Sequence, residues 1–399
     1  MTVARRGLLA QISSAHLVSH FHIMTIPALL PLLPKVMGIN YVDLGMAIGV
    51  FNIASAVVQA PLGYAVDRYG AMRLLKLGLA LGSGSFLLLA VHPTFGMLVV
   101  AMALAGIANG VYHPANYALL ARGIPQDKMG RAFSIHTFAG YLGTGLAPLI
   151  LVWLATTIDV RAAFAGSAGL GLLVLLLLIA RGASVPVTLT ITRVAEKKAA
   201  GPEVRLFAGG AIPILVVFFL LLSLSTGAIE KFSVAALVAD FEVPLSTANL
   251  ALTAFLISSA FGVLAGGVLA DRTNRHGLVG AIVFSLAALL IVAVILVEMP
   301  SIVLIMTLGI AGFLTGCIAP SRDMLVQAAA PAGAEGRVFG IVSTGFNIGG
   351  VLGPILFGYL MDQGLATGVL WASGGFMLAT SGIVVIQELR MRRSPVTST

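Results

Sequence analysis

Residues 130–148 read GRAFSIHTFAGYLGTGLAP, and residues 336–354 read GRVFGIVSTGFNIGGVLGP. Without a gap, Gly130, Arg131, Phe133, Ile135, Gly143, Leu146 and Pro148 fall on Gly336, Arg337, Phe339, Ile341, Gly349, Leu352 and Pro354, 206 positions later. A second pair, GYAVDRYGAMR (63–73) and GVLADRTNRHG (267–277), repeats at an offset of 204. Two anchors in one order at nearly one spacing mean two similar halves running in the same direction. The expected division is 1–181, a polar linker over 182–205, and 206–399.

The rest of the chain says what the halves are made of. Of 399 residues, 59% are hydrophobic and only 10% charged, with a mean hydropathy of +1.05. Soluble domains carry about 25% charged residues, so most of this surface must face lipid. The net charge of +8 does not form one basic patch, which argues against nucleic acid as a partner. The single cysteine, Cys317, lies in an apolar run and excludes a disulfide within the chain. The start, MTVARRGLLAQ, has the basic beginning of a signal peptide. The apolar run behind it is long, holds His16, His20 and His22, and lacks a small-x-small cleavage site, so it is expected to stay as a first span.

About 20 apolar residues cross a bilayer as a helix. That rule predicts twelve spans, near 8–36, 41–66, 72–92, 94–121, 127–156, 161–181, 206–238, 244–270, 277–297, 300–329, 335–362 and 366–389. Helices are required because lipid offers the backbone no hydrogen-bond partner. Lys and Arg fall heavily on one side, from Arg5 and Arg6 through Arg68, Arg73, Arg122, Lys128, Lys197 and Lys198 to Arg393; Lys35 and Arg161 lie on the other. The positive-inside rule then puts both termini and the linker in the cytoplasm of a multi-pass inner or plasma membrane protein.

Twelve spans in two parallel repeats suggest a secondary transporter. The turn Gly63-Tyr-Ala-Val-Asp67-Arg68-Tyr-Gly70-Ala-Met-Arg73 resembles the signature between the second and third helices of the major facilitator superfamily, and Asp271-Arg272 keeps the second copy. The resemblance covers the whole chain. It implies an all-α integral membrane fold of two six-helix bundles and transport by alternating access. Gating is then expected of Gly63, Asp67, Arg68, Arg131, Asp271, Arg272 and Arg337. An aspartate can accept from the exposed amides at a helix N-terminus. Asp67 is therefore expected to latch onto Gly336-Arg337, and Asp271 onto Gly130-Arg131, when the cytoplasmic side is shut. Val111-Tyr112-His113-Pro114-Ala115-Asn116 is similar to the aromatic-His-Pro of the fosmidomycin-resistance branch, which implies efflux. The basic residue and Gln that drug/proton antiporters often carry in the fourth helix are absent from the stripe Asn109, Tyr112, His113, Asn116.

Ionisable groups inside spans are functional candidates by default. Glu230 lies in the seventh span with Ser223, Thr226 and Gly227 on its face, and Lys231 points about 100° away. It either carries a proton or sits solvated at the outer end. Arg322 and Asp323 lie in the tenth span, with Arg322 at the repeat position of Asn116. They either bind a solute anion and exchange protons or form a structural pair near the gate. Among the histidines, His20 and His113 are expected in the central cavity. His136, on a face of Gly140, Gly143 and Ala147, is expected to be a packing or hydrogen-bonding group, not a ligand contact. A metal at His16 and His20 would need a carboxylate or cysteine at helical spacing, and neither is present. The neutral cavity candidates are Asn52, Ser55 and Gln59, Thr137 and Tyr141, and the repeat mates Ser343 and Asn347.

The expected protein is a monomeric, proton-coupled carrier of a small organic solute. It is an efflux antiporter on the His-Pro motif, or an uptake symporter for an organic anion on Arg322. The candidate substrate and coupling residues are His20, His113, Asn116, Tyr141, Glu230, Arg322, Asp323 and Asn347. No metal, cofactor or enzymatic activity is expected, because no nucleophile–base or ligand set is present.

Overall fold

A computed structural model describes residues 2–181, 211–273, 275–329 and 335–393. Fourteen α-helices make up the described chain: α1 Val3–Ile23, α2 Thr25–Leu29, α3 Leu33–Met37, α4 Tyr41–Tyr69, α5 Ala71–Val91, α6 Phe95–Gly123, α7 Met129–Thr157, α8 Val160–Ala180, α9 Ala211–Asp240, α10 Leu245–Asp271, α11 His276–Leu296, α12 Ser301–Ala329, α13 Glu335–Asp362 and α14 Ala366–Arg393. The linker 182–205 and the start of the seventh span, 206–210, lie outside the described residues.

Eleven of these helices are long and apolar enough to cross a membrane, from α4 to α14. The first expected span, 8–36, is not one helix but three. Met24 already bonds back to both His20 and Phe21, and Pro27, Pro31 and Pro34 then remove three amide donors in succession. Gly38 ends α3 in the left-handed conformation, φ 65°. Arg5, Arg6 and three histidines dilute the apolar run of α1, yet most of α1 is buried. It is a central helix, not a lipid-facing one.

Local chemistry sets the helix ends. Asn40 and Asp43 form a capping box on α4. Thr94 caps α6 and Asp159 caps α8. Pro61, Pro114, Pro148, Pro320 and Pro354 lie inside helices, which packed neighbours make tolerable. Asp240, closing α9, accepts from Thr367 N at 2.5 Å and Thr367 Oγ1 at 2.6 Å and so ties α9 to the start of α14. Asp240→Ala strands both donors and is expected to cost about 1–2 kcal/mol, read as a lower Tm of the purified protein in detergent. An unchanged Tm would mean that this tie carries no stability.

Helix packing falls into two sets, α1–α8 and α9–α14. They meet mainly along two seams, α4 on α13 and α7 on α10, with a smaller contact of α2 on α9. Small residues permit the close approaches. A Cβ at Gly312 would overlap the Phe255 backbone, and one at Gly316 the Ser259 backbone, on the α10–α12 pair.

The seams are tight at the end away from the basic loops. Gly45 packs on the Pro354 carbonyl and Gly358 on the Tyr41 carbonyl. Asn52 Nδ2 donates to the Gly350 carbonyl at 2.8 Å, and Asn249 Nδ2 to the Pro148 carbonyl at 2.9 Å. Asp362, at the last turn of α13, accepts from the Tyr41 and Val42 amides, each at 2.8 Å. At the basic end the seams part. Among the described residues, a Cβ at Gly63, Gly130, Gly267 or Gly340 would meet nothing within 4 Å. The space between the helix sets therefore opens at the basic end and is sealed at the other.

Candidate substrate and coupling site

The second helix set contributes the charges. Arg322, on α12, points its guanidinium at two rings, 5.3 Å from the Phe219 centroid and 5.5 Å from Phe346. Those rings meet edge to face at 5.2 Å. Arg322 Nε donates to Asp323 Oδ1 at 2.8 Å, and its side chain is 22% exposed against 49% for Asp323. The two terminal nitrogens of the fork make no hydrogen bond to a described residue, so a flat cation stays available to an anion. Glu230 and Lys231 are half-buried neighbours on α9. Each feels the field of the other, but they are not an ion pair. Lys231 Nζ instead lies over Gly227, 4.0 Å from where a Cβ would stand.

The first set contributes neutral polar groups. Tyr141, half-buried on α7, feels the fields of Arg322, Glu230 and Asp323. His20 Nδ1 is 3.0 Å from Thr144 Oγ1 on α7. His113 packs against His16 at 5.6 Å and Tyr117 at 5.8 Å between ring centroids. Asn347 is exposed on the face of α13 that carries Gly350, Pro354 and Gly358 nearer the sealed end. Below the seal, that face looks into the opened gap.

Three candidates sit elsewhere than expected. Asn116 is fully buried, with neither amide atom bonded, because α6 turns it into its own helix set instead of toward the gap. Asn52 belongs to the closed seam. Ser55 Oγ is taken by Asn109 Nδ2 at 2.8 Å. Two histidines gain a place that helical spacing did not suggest. His136 stacks on His16 at 3.9 Å with 14° between the planes. The stripe around it does pack closely: a Cβ at Gly140 would stand 2.6 Å from His16 Cε1, and one at Gly143 would overlap the Leu17 backbone. The cavity also uses Phe219 and Phe346, which sequence reasoning missed. Phe346 lies inside the repeated stretch beside Asn347, and that position was its one available signal. Among the described residues, no group of three His, Cys, Asp or Glu could hold a metal ion.

At the basic end, Asp67 pairs with Arg122 at 3.0 Å, within its own helix set. Arg68 lies over Tyr69 at 5.5 Å, and Arg131 and Arg272 are exposed. The side chains of Asp271, Gly336 and Arg337 lie outside the described residues, and Gly130 faces open space. Asp67 is thus engaged by Arg122, and each expected latch has a member among those undescribed side chains.

A membrane-embedded helical fold with charges gathered between two helix sets defines a transporter, not an enzyme. The Major Facilitator Superfamily model matches residues 12–230 and again residues 215–398, and the chain belongs to that superfamily. It is similar to the fosmidomycin resistance protein of Escherichia coli (strain K12), at 27% identity over 90% of this chain and 87% of that protein. It is 29% identical to the multidrug resistance protein MdtG of Rahnella sp. (strain Y9602), over 82% of this chain and 80% of that one. It is 26% identical to probable anion transporter 6 of Oryza sativa subsp. japonica, over 83% and 82%. Among solved structures, a bacterial homologue of the human lysosomal transporter Spinster, inward-facing and unoccupied, superposes with a TM-score of 0.77 at 14% identity, covering 98% of this chain and 96% of that one.

Proposed function

We propose that the chain is a proton-coupled antiporter that exports a small organic solute by alternating access, with its basic end in the cytoplasm and the single chain as the working unit. One observation carries this reading. Tyr141 from the first helix set feels the fields of Arg322, Glu230 and Asp323 from the second, with a gap open at one end and sealed at the other between them. Solute bound in that gap and a proton held on its wall can then exclude each other, and each can be released where the other binds. The bundles 1–181 and 206–399 rock about it, joined by 182–205. When the basic end closes, Asp67 leaves Arg122 for the amides at the start of α13, and Asp271 takes those at the start of α7. Likeness to proteins named for fosmidomycin and multidrug resistance supports export.

A second reading, proton-coupled uptake of an organic anion, is favoured by the Arg322 fork between two rings, held by Asp323 through its Nε alone among the described residues, and by relatives named as probable anion transporters. Liposomes with a pH dye inside distinguish the two. With fosmidomycin, lipophilic drugs and small carboxylates or phosphonates added outside, solute entry with lumen alkalinisation supports antiport. Entry with acidification supports symport. Entry with no pH change overturns proton coupling.

A further inference from the structure

Four imidazoles from three helices converge on the first-set side of the gap. His16 and His20 come from α1, His113 from α6 and His136 from α7. His16 stacks on His136 at 3.9 Å and meets the edges of His20 at 4.6 Å and His113 at 5.6 Å. His16 Nδ1 stands 2.8 Å from the His136 carbonyl. A carbonyl only accepts, so that nitrogen carries hydrogen and Nε2 holds the lone pair of the neutral ring. His16 is 5% exposed and His136 1%. Yet His16 Nε2 and both ring nitrogens of His136 have no partner among the described residues. Burial strips such groups of water without returning a partner, which disfavours leaving them so. The room for the stack comes from Gly140, where a Cβ would crowd His16 Nδ1 at 2.8 Å and His20 Cδ2 at 3.1 Å.

Among the described residues, the surroundings supply no counter-ion. Around the cluster, α6 offers Tyr112 and Tyr117, and α7 offers Tyr141 and, toward the basic end, the exposed Arg131. From α5 and α8, Ser83, Gly171 and Ser167 face the neighbouring His22. The fields that act on His16, His20 and His136 are those of the other imidazoles. An imidazolium lying on a neutral imidazole is held by the ring beneath it. Two imidazoliums at this separation repel with nothing nearby to offset them. Occupancy therefore stops at one proton, and that proton belongs to the cluster and not to one residue.

We propose that His16, His20, His113 and His136 form a single-proton site, shared through the His16–His136 stack, and that this site, in place of Glu230 or Asp323, holds the coupling proton. The coupling role rests on the transport reading above; the single-proton site does not. Ring-nitrogen NMR on the full chain in lipid nanodiscs, with ¹⁵N-labelled histidine and scanned from about pH 4 to 8, tests the site without any solute. The expected result is one proton gained over the four residues, with the His16 and His136 signals moving together. Gly140→Ala and His136→Gln should each abolish that joint step. Independent protonation of two or more of the four, or of none, overturns the site. In the dye-loaded liposomes, His136→Gln should cut proton movement on the order of tenfold and keep solute exchange within about twofold. Full proton movement in His136→Gln overturns the coupling role. A wild type that moves no proton with any solute overturns the transport reading and the coupling role, and leaves the NMR result standing.

Discussion

Gly45→Val should hold the carrier open at the end that is now sealed and should nearly abolish transport. The α4–α13 seam allows no side chain at Gly45 or Gly358, since each packs on a backbone carbonyl of the other helix, Pro354 and Tyr41 respectively. A backbone atom cannot rotate away, so a branched side chain is accommodated only if the helices separate. Overpacking of this kind costs about 1–3 kcal/mol or more, and the bonds from the Tyr41 and Val42 amides to Asp362 are lost with it. Each 1.4 kcal/mol moves a two-state population about tenfold, so the sealed state should fall from dominant to minor. Asp362→Ala removes only the two amide bonds and should shift the same balance by a smaller factor. A single cysteine at Asn347, in a Cys317→Ser background, reports the change. An impermeant maleimide should label it from the basic end in the parent and from the opposite end in Gly45→Val. Labelling from the same side at the same rate in both would show that this seam does not control access.

Arg322→Gln should remove anion recognition. The guanidinium is held by the Phe219 and Phe346 rings and by one bond to Asp323, which leaves its other donors for a ligand. Charge-assisted hydrogen bonds contribute about 1.5–3 kcal/mol, so affinity for carboxylates or phosphonates should drop about 10- to 100-fold. Neutral and cationic solutes should gain or change little, because the remaining Asp323 carboxylate no longer has a cation beside it. Arg322→Lys keeps the charge but loses the planar fork and its stacking, and should fall between. Equilibrium binding of the anion panel to the purified variants measures this. Anion affinities in Arg322→Gln within twofold of the parent would assign Arg322 to a structural pair with Asp323, the other reading its sequence position allowed.

The linear sequence determined the architecture. The repeat that places Gly130–Pro148 on Gly336–Pro354, the alternation of apolar runs with basic loops, and the Asp-Arg turn at Gly63–Arg73 are local or periodic signals, and a bilayer admits few folds for them. Helical period alone also revealed the close packing around Gly140 and Gly143. It could not say that the first span breaks at Met24, because a broken helix and a proline-tolerant one share one hydropathy profile. Nor could it place His136. Spacing along α7 fixes which residues share a face, but only the crossing of α1, α6 and α7 decides that the face meets His16 and His113. Asp362 is the same kind of case. A carboxylate at the end of a helix runs against the local dipole, which was the one hint in the sequence, and its partners lie 320 and 321 positions away. The open end of the gap is likewise a property of two helix sets in one relative position. Residue order encodes that position, and only the tertiary structure displays it.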